Sequence, residues 1–233
     1  MKLAFFFRKY HKWLALIVGL QALVWVLSGL YMTAVPINFI HGDHLVKQQK
    51  EVSLSDQPIK PLEAGYLENL GQIKEVRLSN INEQPVYLIR AENGLEYLNA
   101  LTLEVLSKLQ PEQIRAIADQ VYAGKHQIVN IELLPTYPEE LGGRQLPIWM
   151  VQYDDWLEST LYFTTDTGAL RSKRSDLWRW FDFLWMLHIM DYDERSDITN
   201  SLLRIAAGLG LLLSLSGLGL LFYSFQRKKG VGQ

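Results

Sequence analysis

Any metal or haem chemistry of this chain would depend on histidine, carboxylate or methionine, because its 233 residues include five histidines and no cysteine. His188 lies in the aromatic run FLWMLHIM, His41 and His44 lie in FIHGDHLVK, and His11 lies near the amino-terminal end. A neutral imidazole nitrogen can serve as an axial ligand of a haem iron. These four histidines are therefore the candidate cofactor ligands.

Each candidate histidine also has a simpler interpretation. His11, in the basic stretch RKYHK, can anchor a helix at a membrane surface, and His188 can be the polar tip of an aromatic helix in the membrane interface. His41 and His44 lack the further ligands that a metal site needs, so no separate metal site is predicted. No spacing of serine, histidine and acidic residues indicates a catalytic triad, and no catalytic residue is predicted.

Two apolar runs, residues 13–35 and 201–225, are long enough to cross a membrane. At 1.5 Å per residue, a helix needs about 20 residues to cross roughly 30 Å of hydrocarbon. The first run has an alternative interpretation as a signal peptide cleaved at Ala34, although it is longer than the usual apolar region of such a peptide. Small residues in both runs allow close helix packing, either within one chain or between copies.

The charges predict an orientation. All 25 acidic residues lie between Asp43 and Asp197, together with 15 of the 23 Lys and Arg, which gives this segment a net charge of −10. Short tails with Lys and Arg and no acid remain in the cytoplasm. The charges therefore predict that both termini are cytoplasmic and that the central segment is outside, and we expect a protein of the bacterial inner membrane whose central segment is periplasmic. So acidic a segment excludes nucleic-acid binding.

Residues 175–192 predict a helix that is too short to span the membrane. Asp176 is a suitable N-cap, and Phe181, Trp185 and His188 share one face of the helix. Three of the seven tryptophans fall in this segment. Because indole rings favour the boundary between membrane and water, the helix is expected to lie in that interface.

Between the first run and this helix, the sequence predicts a helix followed by three antiparallel strands, occurring twice. The helices are expected at 61–70 and 111–123, and the strands at 74–81, 85–92, 96–106, 126–134, 147–155 and 159–170. At an offset of 65 residues, Tyr97 and Thr102 coincide with Tyr162 and Thr167, which indicates tandem copies. The two tyrosines are expected to point inwards, each under its own helix.

The predicted fold class is an extracytoplasmic α+β domain with two transmembrane helices. In chain order the segments are a cytoplasmic tail (1–12), transmembrane helix 1 (13–35), a linker (36–60), unit 1 (61–108), unit 2 (109–174), the interfacial helix (175–192), transmembrane helix 2 (201–225) and a second cytoplasmic tail (226–233).

Three stretches resemble the PepSY family. LYFTTDTGAL is similar to the closing strand of a PepSY domain, in which an aromatic residue precedes a polar stretch and a Thr-Gly turn. RKYHKWLALIVGL resembles the opening of PepSY-associated transmembrane proteins, and LHIMDY resembles the Leu-His segment before their next span. The chain thus resembles a small two-span member of a family whose larger members have four or more spans. Unit 1 departs from the pattern, because ALTLEVL stands where the Thr-Gly turn is expected, and its end is expected to be a bulge or a plain strand.

The resemblance implies two kinds of function. Soluble PepSY modules inhibit secreted peptidases, whereas larger membrane members are linked to iron and siderophore uptake and to b-type haem on histidines. We therefore expect a non-enzymatic, membrane-anchored accessory or binding protein that contacts a partner protein. The alternative is a membrane oxidoreductase component that passes electrons through haem b to a ferric siderophore. Two spans make a thin wall for a porphyrin, so this alternative predicts a homodimer or a membrane partner subunit.

Overall fold

The computed structural model describes residues 2–48, 54–92, 94–142 and 146–229. They form two compact units: a membrane unit, Met1–Ile40 with Trp178–Gln233, and an α+β unit, His41–Leu177. The coarse fold prediction is confirmed, because the chain has two antiparallel sheets and two helices of membrane-spanning length. Parts of the predicted linker (49–53) and tails (1 and 230–233), together with residues 93 and 143–145 of two predicted turns, lie outside the described residues.

The helices are α1 (Lys2–Ala34), α2 (Ile37–Ile40), α3 (Ala64–Glu68), α4 (Pro111–Val121), α5 (Asp176–Ile189) and α6 (Ser201–Lys229). Apolar stretches at Lys9–Ala34 of α1 and Ser201–Phe222 of α6 are long enough to cross a membrane. In their most apolar windows, only 11% and 0% of the residues are buried inside the protein, so neither helix is the covered core helix of a soluble domain.

Helix α1 begins within the segment predicted as a tail. Residues 2–12 contain neither Gly nor Pro, so nothing in them breaks the helix that the apolar run propagates. The helix ends at Ala34, two residues before Pro36. Proline disfavours the helical conformation at the residue before it and lacks the N–H that a helix interior needs, which explains this end.

The α+β unit contains two separate antiparallel sheets. The first sheet has the order β1 (Ile73–Ile81), β2 (Gln84–Ala91), β3 (Gly94–Asn99). The second has the order β4 (Ile128–Leu134), β5 (Ile148–Tyr153), β6 (Thr160–Thr164), β7 (Leu170–Arg174). The second sheet therefore has four strands where three were predicted, and the additional strand is β7. The sequence of β7, LRSKR, lacks the apolar alternation on which strand prediction depends.

Helix α4 covers one face of the second sheet. Pro111 begins the helix, and the backbone N–H of Gln110 donates to the Gln113 side chain at 2.8 Å, which satisfies a donor at the helix start. Ile114 and Ala118 are fully buried against Val151, Leu161 and Phe163 of the sheet. This contact is the main hydrophobic core of the α+β unit.

The turns that follow β3 and β6 have the same geometry, 65 residues apart. Leu103 has a φ of 68° and Gly168 a φ of 63°. The N–H of Asn99 donates to Glu104 O at 2.9 Å, and the N–H of Thr164 donates to Ala169 O at 3.0 Å. After the first turn Val105 pairs with Leu98, so the end of unit 1 is neither a bulge nor a plain strand but a tight turn with a left-handed leucine where the second unit has glycine.

The expected position of Tyr162 is wrong. Its neighbours Leu161 and Phe163 point into the core under α4, and side chains alternate along a strand, so Tyr162 lies on the opposite face. It is nonetheless buried, and its hydroxyl donates to Glu140 Oε1 at 2.6 Å. Tyr97 is only half-buried.

Part of the predicted linker is fixed to the domain. Val46 pairs with Tyr122 just after α4, and the N–H of Lys47 donates to Val121 O at 2.9 Å. Leu45 is buried in the α4 core. Residues 43–47 therefore belong to the folded α+β unit.

Candidate functional site

His188 is held in the membrane unit by side chains of α1. Its Nδ1 lies 2.8 Å from the hydroxyl of Ser28, and Trp25 Nε1 donates to its backbone oxygen at 2.8 Å. Gly29 adjoins the ring, because a Cβ added at Gly29 would stand 3.8 Å from His188 Cε1. Ser28 is fully buried, so this hydrogen bond is shielded from solvent.

The same contacts satisfy the end of α5. The last carbonyls of a helix have no partner within it, and leaving them unpaired in an apolar medium is costly. Gln21 donates to Leu187 O at 3.5 Å, Trp25 donates to His188 O, and Asn200 donates to Ile189 O at 2.9 Å. Three side chains from outside the helix thus complete the carboxyl end of α5 and fix the position of His188.

The contacts of Ser28 favour one tautomer of the imidazole. Ser28 Oγ lies 2.7 Å from Val24 O, and a carbonyl oxygen can only accept. If the single hydroxyl proton is donated to that carbonyl, Ser28 accepts from Nδ1–H of His188. That tautomer leaves the lone pair on Nε2, the form in which histidine can bind a metal or a haem iron.

His11 makes a matching pair with α6. Its Nδ1 lies 2.7 Å from Ser216 Oγ, and that hydroxyl donates to Leu213 O at 2.7 Å. A Cβ added at Gly217 would stand 3.4 Å from His11 Cε1. The same argument gives an Nδ1–H tautomer with the lone pair on Nε2.

Both pairs use the same short sequence. Leu-Ser-Gly-Leu occurs at 27–30 in α1 and again at 215–218 in α6. In each copy the serine binds Nδ1 and the glycine leaves room for the ring. These serines and glycines were not identified from the sequence as partners of the candidate histidines, although the repeated tetrapeptide inside two apolar runs is a signal that could have identified them.

The structure does not bring His11 and His188 together. His188 contacts Ser28, which follows His11 by 17 residues in the continuous helix α1, a distance of about 25 Å along the axis. One iron therefore cannot bind both rings of one chain. A site with two axial histidines at either position needs a second ligand from elsewhere.

His41 and His44 belong to the α+β unit, in the turn around the short helix Asp43–Leu45. Both side chains are exposed. Desolvation lowers the pKa of His44, and the nearby charge of Asp155 opposes that effect. Asp43, between the two histidines, forms an ion pair with Lys173 at 2.7 Å.

Other polar groups do not assemble into a metal site. Among the described residues, no group of three or more histidines and carboxylates is placed to hold a metal ion. The acidic segment after α5 has a structural role instead, because Asp191 Oδ2 accepts the backbone N–H groups of Ser196 and Asp197 at 2.9 Å. These hydrogen bonds lower the pKa of Asp191.

Comparison with protein-family models, curated proteins and solved structures finds no match to this chain.

Proposed function

We propose that this chain is a membrane-anchored accessory protein whose two spans hold the acidic α+β unit outside the cytoplasm, where it contacts a partner protein. The observation that carries the proposal is the position of the apolar helices. In chain order, Lys9–Ala34 precedes and Ser201–Phe222 follows the α+β unit, and both have almost no buried residues in their most apolar windows. Helices with this surface are stable in lipid and are poorly suited to water.

The proposed location is the bacterial inner membrane, with both tails in the cytoplasm. It is supported by the segregation of charge, with all 25 acidic residues between Asp43 and Asp197 and basic residues in the tails. A reporter active only in the periplasm should be silent when fused after Gln233 and active when inserted after Gly142. The opposite pattern would exclude this topology, and a mature protein that starts near Val35 would identify the first run as a signal peptide.

Contact with a partner through the acidic unit predicts a salt-sensitive complex. In gently solubilised membranes the chain should migrate in native electrophoresis well above its own 26.9 kDa, and added salt should release it because salt screens exposed charges. The purified chain in the same detergent is the control for self-association and for bound detergent. Identical migration of the membrane extract and the purified chain would count against a partner.

A second function is favoured by the Nε2 atoms of His188 and His11, which make no hydrogen bond within the part of the chain that the structure describes. A haem iron fits this donor set, because neutral imidazole is a usual haem ligand and the serines fix the tautomer that ligation needs. Haem would supply one-electron chemistry, with an extracytoplasmic ferric siderophore as the proposed acceptor. Since each position offers one histidine, a second copy or a membrane partner subunit would have to contribute the other ligand.

Absorption spectra distinguish the two functions. The purified protein should be recorded oxidised and then reduced with dithionite. The accessory function predicts no Soret band, and the haem function predicts a low-spin b-type spectrum that His188→Ala or His11→Ala diminishes. Loss of the spectrum on replacing His41 or His44 as well would identify the opposite ligand. A haem spectrum that survives replacement of all four histidines would exclude all of these ligands.

A further inference from the structure

The loop between β5 and β6 exposes a tryptophan. Trp156 is 81% exposed, whereas the next residue, Leu157, is 6% exposed and packs inside. Transfer of so large an apolar surface out of water is favourable by an estimated 25 cal/mol per Å². A single exposed apolar side chain is common on protein surfaces, so the place of the loop in the fold decides what Trp156 can meet.

The loop is built so that it holds Trp156 outward. The carboxylate of Asp155 accepts both the N–H and the hydroxyl of Ser159, each at 2.7 Å. The N–H of Glu158 donates to Asp155 O at 3.0 Å, and Glu158 itself has a positive φ of 49°. The backbone is thus fixed on both sides of Trp156, and its exposure is a property of the loop.

The loop lies at the end of the α+β unit where the chain passes to the membrane unit. Leu157 O accepts the N–H of Asp176 at 2.7 Å, and the chain leaves the α+β unit directly after Leu177. Asp155 is also close enough to act electrostatically on His44, which follows the other crossing point, between Ile40 and His41. Both connections therefore emerge beside this loop.

The connections are short. Only residues 35–40 separate the apolar stretch of α1 from the first residue of the α+β unit, which allows at most about 25 Å even when fully extended. The second connection is α5 itself, which begins at Asp176 and carries the exposed aromatic side chains of Trp180 and Phe183. Under the proposed topology, the short connections alone therefore keep the end of the α+β unit that bears Trp156 within reach of the bilayer surface.

We propose that Trp156 inserts into the headgroup region of the bilayer and holds the α+β unit against the lipid surface. Indole suits this depth because its ring is apolar and its N–H can donate to headgroups. The acidic neighbours Asp154, Asp155 and Glu158 keep the insertion shallow and oppose binding to anionic lipid. The inference rests on the proposed membrane anchoring and adds a third attachment point to the two spans.

A spin label can test this in the full chain, because the chain has no native cysteine. Glu158→Cys carries a nitroxide beside Trp156 in nanodiscs of phosphatidylcholine. Val129→Cys, at an exposed position of β4, is the aqueous control, and Leu211→Cys, at an exposed position of α6, reports insertion of the span. Collisions with oxygen report lipid, and collisions with a water-soluble nickel chelate report water.

We expect the label at position 158 to collide more with oxygen than with the chelate, and Trp156→Ala to reverse that ratio while Trp156→Tyr preserves it. Enrichment in phosphatidylglycerol should shift position 158 towards water. A water-like label at 158 with a lipid-like label at 211 would overturn the anchor alone. A label at 211 that collides mainly with the chelate would refute the proposed spans themselves. A label at 158 that collides mainly with oxygen both before and after Trp156→Ala would show that the tryptophan is not the anchor.

Discussion

Asn82 and Gly168 join the two sheets of the α+β unit. Asn82 lies in the β1–β2 turn with a φ of 51°, and its Nδ2 donates to Gly168 O at 2.9 Å and to Thr167 O at 3.0 Å. Thr167 and Gly168 form the turn between β6 and β7. One amide group thus ties the tip of the first sheet to a turn of the second, and residues that are far apart in sequence meet through it.

We expect Asn82→Asp to separate these turns. The change keeps the size of the side chain and its tolerance of positive φ, but an ionised carboxylate would face two carbonyl oxygens that it cannot bind. The free energy of unfolding should fall by at least about 2 kcal/mol at neutral pH. The loss should shrink in acid, where the protonated carboxyl regains a donor. Chemical unfolding of the full chain in detergent micelles measures both effects.

Asn69→Asp is the matched control for that change. Asn69 also donates its Nδ2 to a carbonyl, that of Gly65 at 3.0 Å, but it is exposed. Water can solvate a carboxylate there, so the unfolding free energy should change by less than about 0.5 kcal/mol. Equal losses in the two variants would show that the Asn82 contact does not connect the sheets.

Gly168 should tolerate an added side chain poorly. Its φ of 63° is strained for alanine, and an added Cβ would lie 2.4 Å from Ile117 Cδ1 and 2.9 Å from Leu109 Cδ1. Gly168→Ala should therefore cost about 1–2 kcal/mol of unfolding free energy from the strain, and a further, smaller amount because the ends of these two flexible side chains must move. Gly142→Ala has a similar φ of 86° but open space around the Cβ, so it should show only the strain, about 1–2 kcal/mol. Thermal melts of both variants separate the two causes.

Local patterns predicted much of this fold. A helix was expected at 111–123, and the structure places α4 at Pro111–Val121, with Ile114, Ala118 and Val121 buried at helical spacing. Strands β5 and β6 also lie within the predicted runs. In each case the spacing of apolar residues within the element itself shows which of its faces is buried, so no distant part of the chain is needed for the prediction.

Features that depend on pairing between distant segments were not predicted. Strand β7 has the sequence LRSKR, and it is extended because its backbone pairs with that of β6. The pattern of side chains in β7 gives no indication of this pairing. Tyr162 was assigned to the wrong face because the offset between repeats aligns positions but does not say which face packs under the helix. His188 was a candidate from its residue type, whereas its partner Ser28 is 160 residues away and could be identified only through the fold.

The tautomer of His188 is itself testable through Ser28. Ser28→Ala removes the acceptor of Nδ1–H, so the proton should redistribute between the two ring nitrogens and the unfolding free energy in micelles should drop by about 1–2 kcal/mol. Nitrogen-15 chemical shifts of labelled histidine report the tautomer directly. Ser214→Ala is the control, because Ser214 makes the same bond to its own helix, to Gly210 O at 3.0 Å, but is exposed. Unchanged shifts in Ser28→Ala would contradict the assignment.

The ion pair of Asp43 and Lys173 predicts a specific pH dependence. The hydrogen bond and the charge of Lys173 lower the pKa of Asp43 below its usual 3.8. A carboxyl whose pKa is depressed by folding stabilises the folded state above its unfolded value, and this stabilisation is lost as pH falls through the folded value. Lys173→Met should therefore raise the pKa of Asp43, and the stability difference from the parent chain should be present near pH 6 and vanish in strong acid. Titration of the carboxyl carbon resonance of Asp43 measures the pKa.

Lys47→Met is the control, because Lys47 donates to the carbonyls of Asp119 and Gln120 at 3.3 and 3.0 Å, and its loss should leave the pKa of Asp43 unchanged. If Lys47→Met shifts the titration as much as Lys173→Met does, general loss of positive charge and not the ion pair controls Asp43.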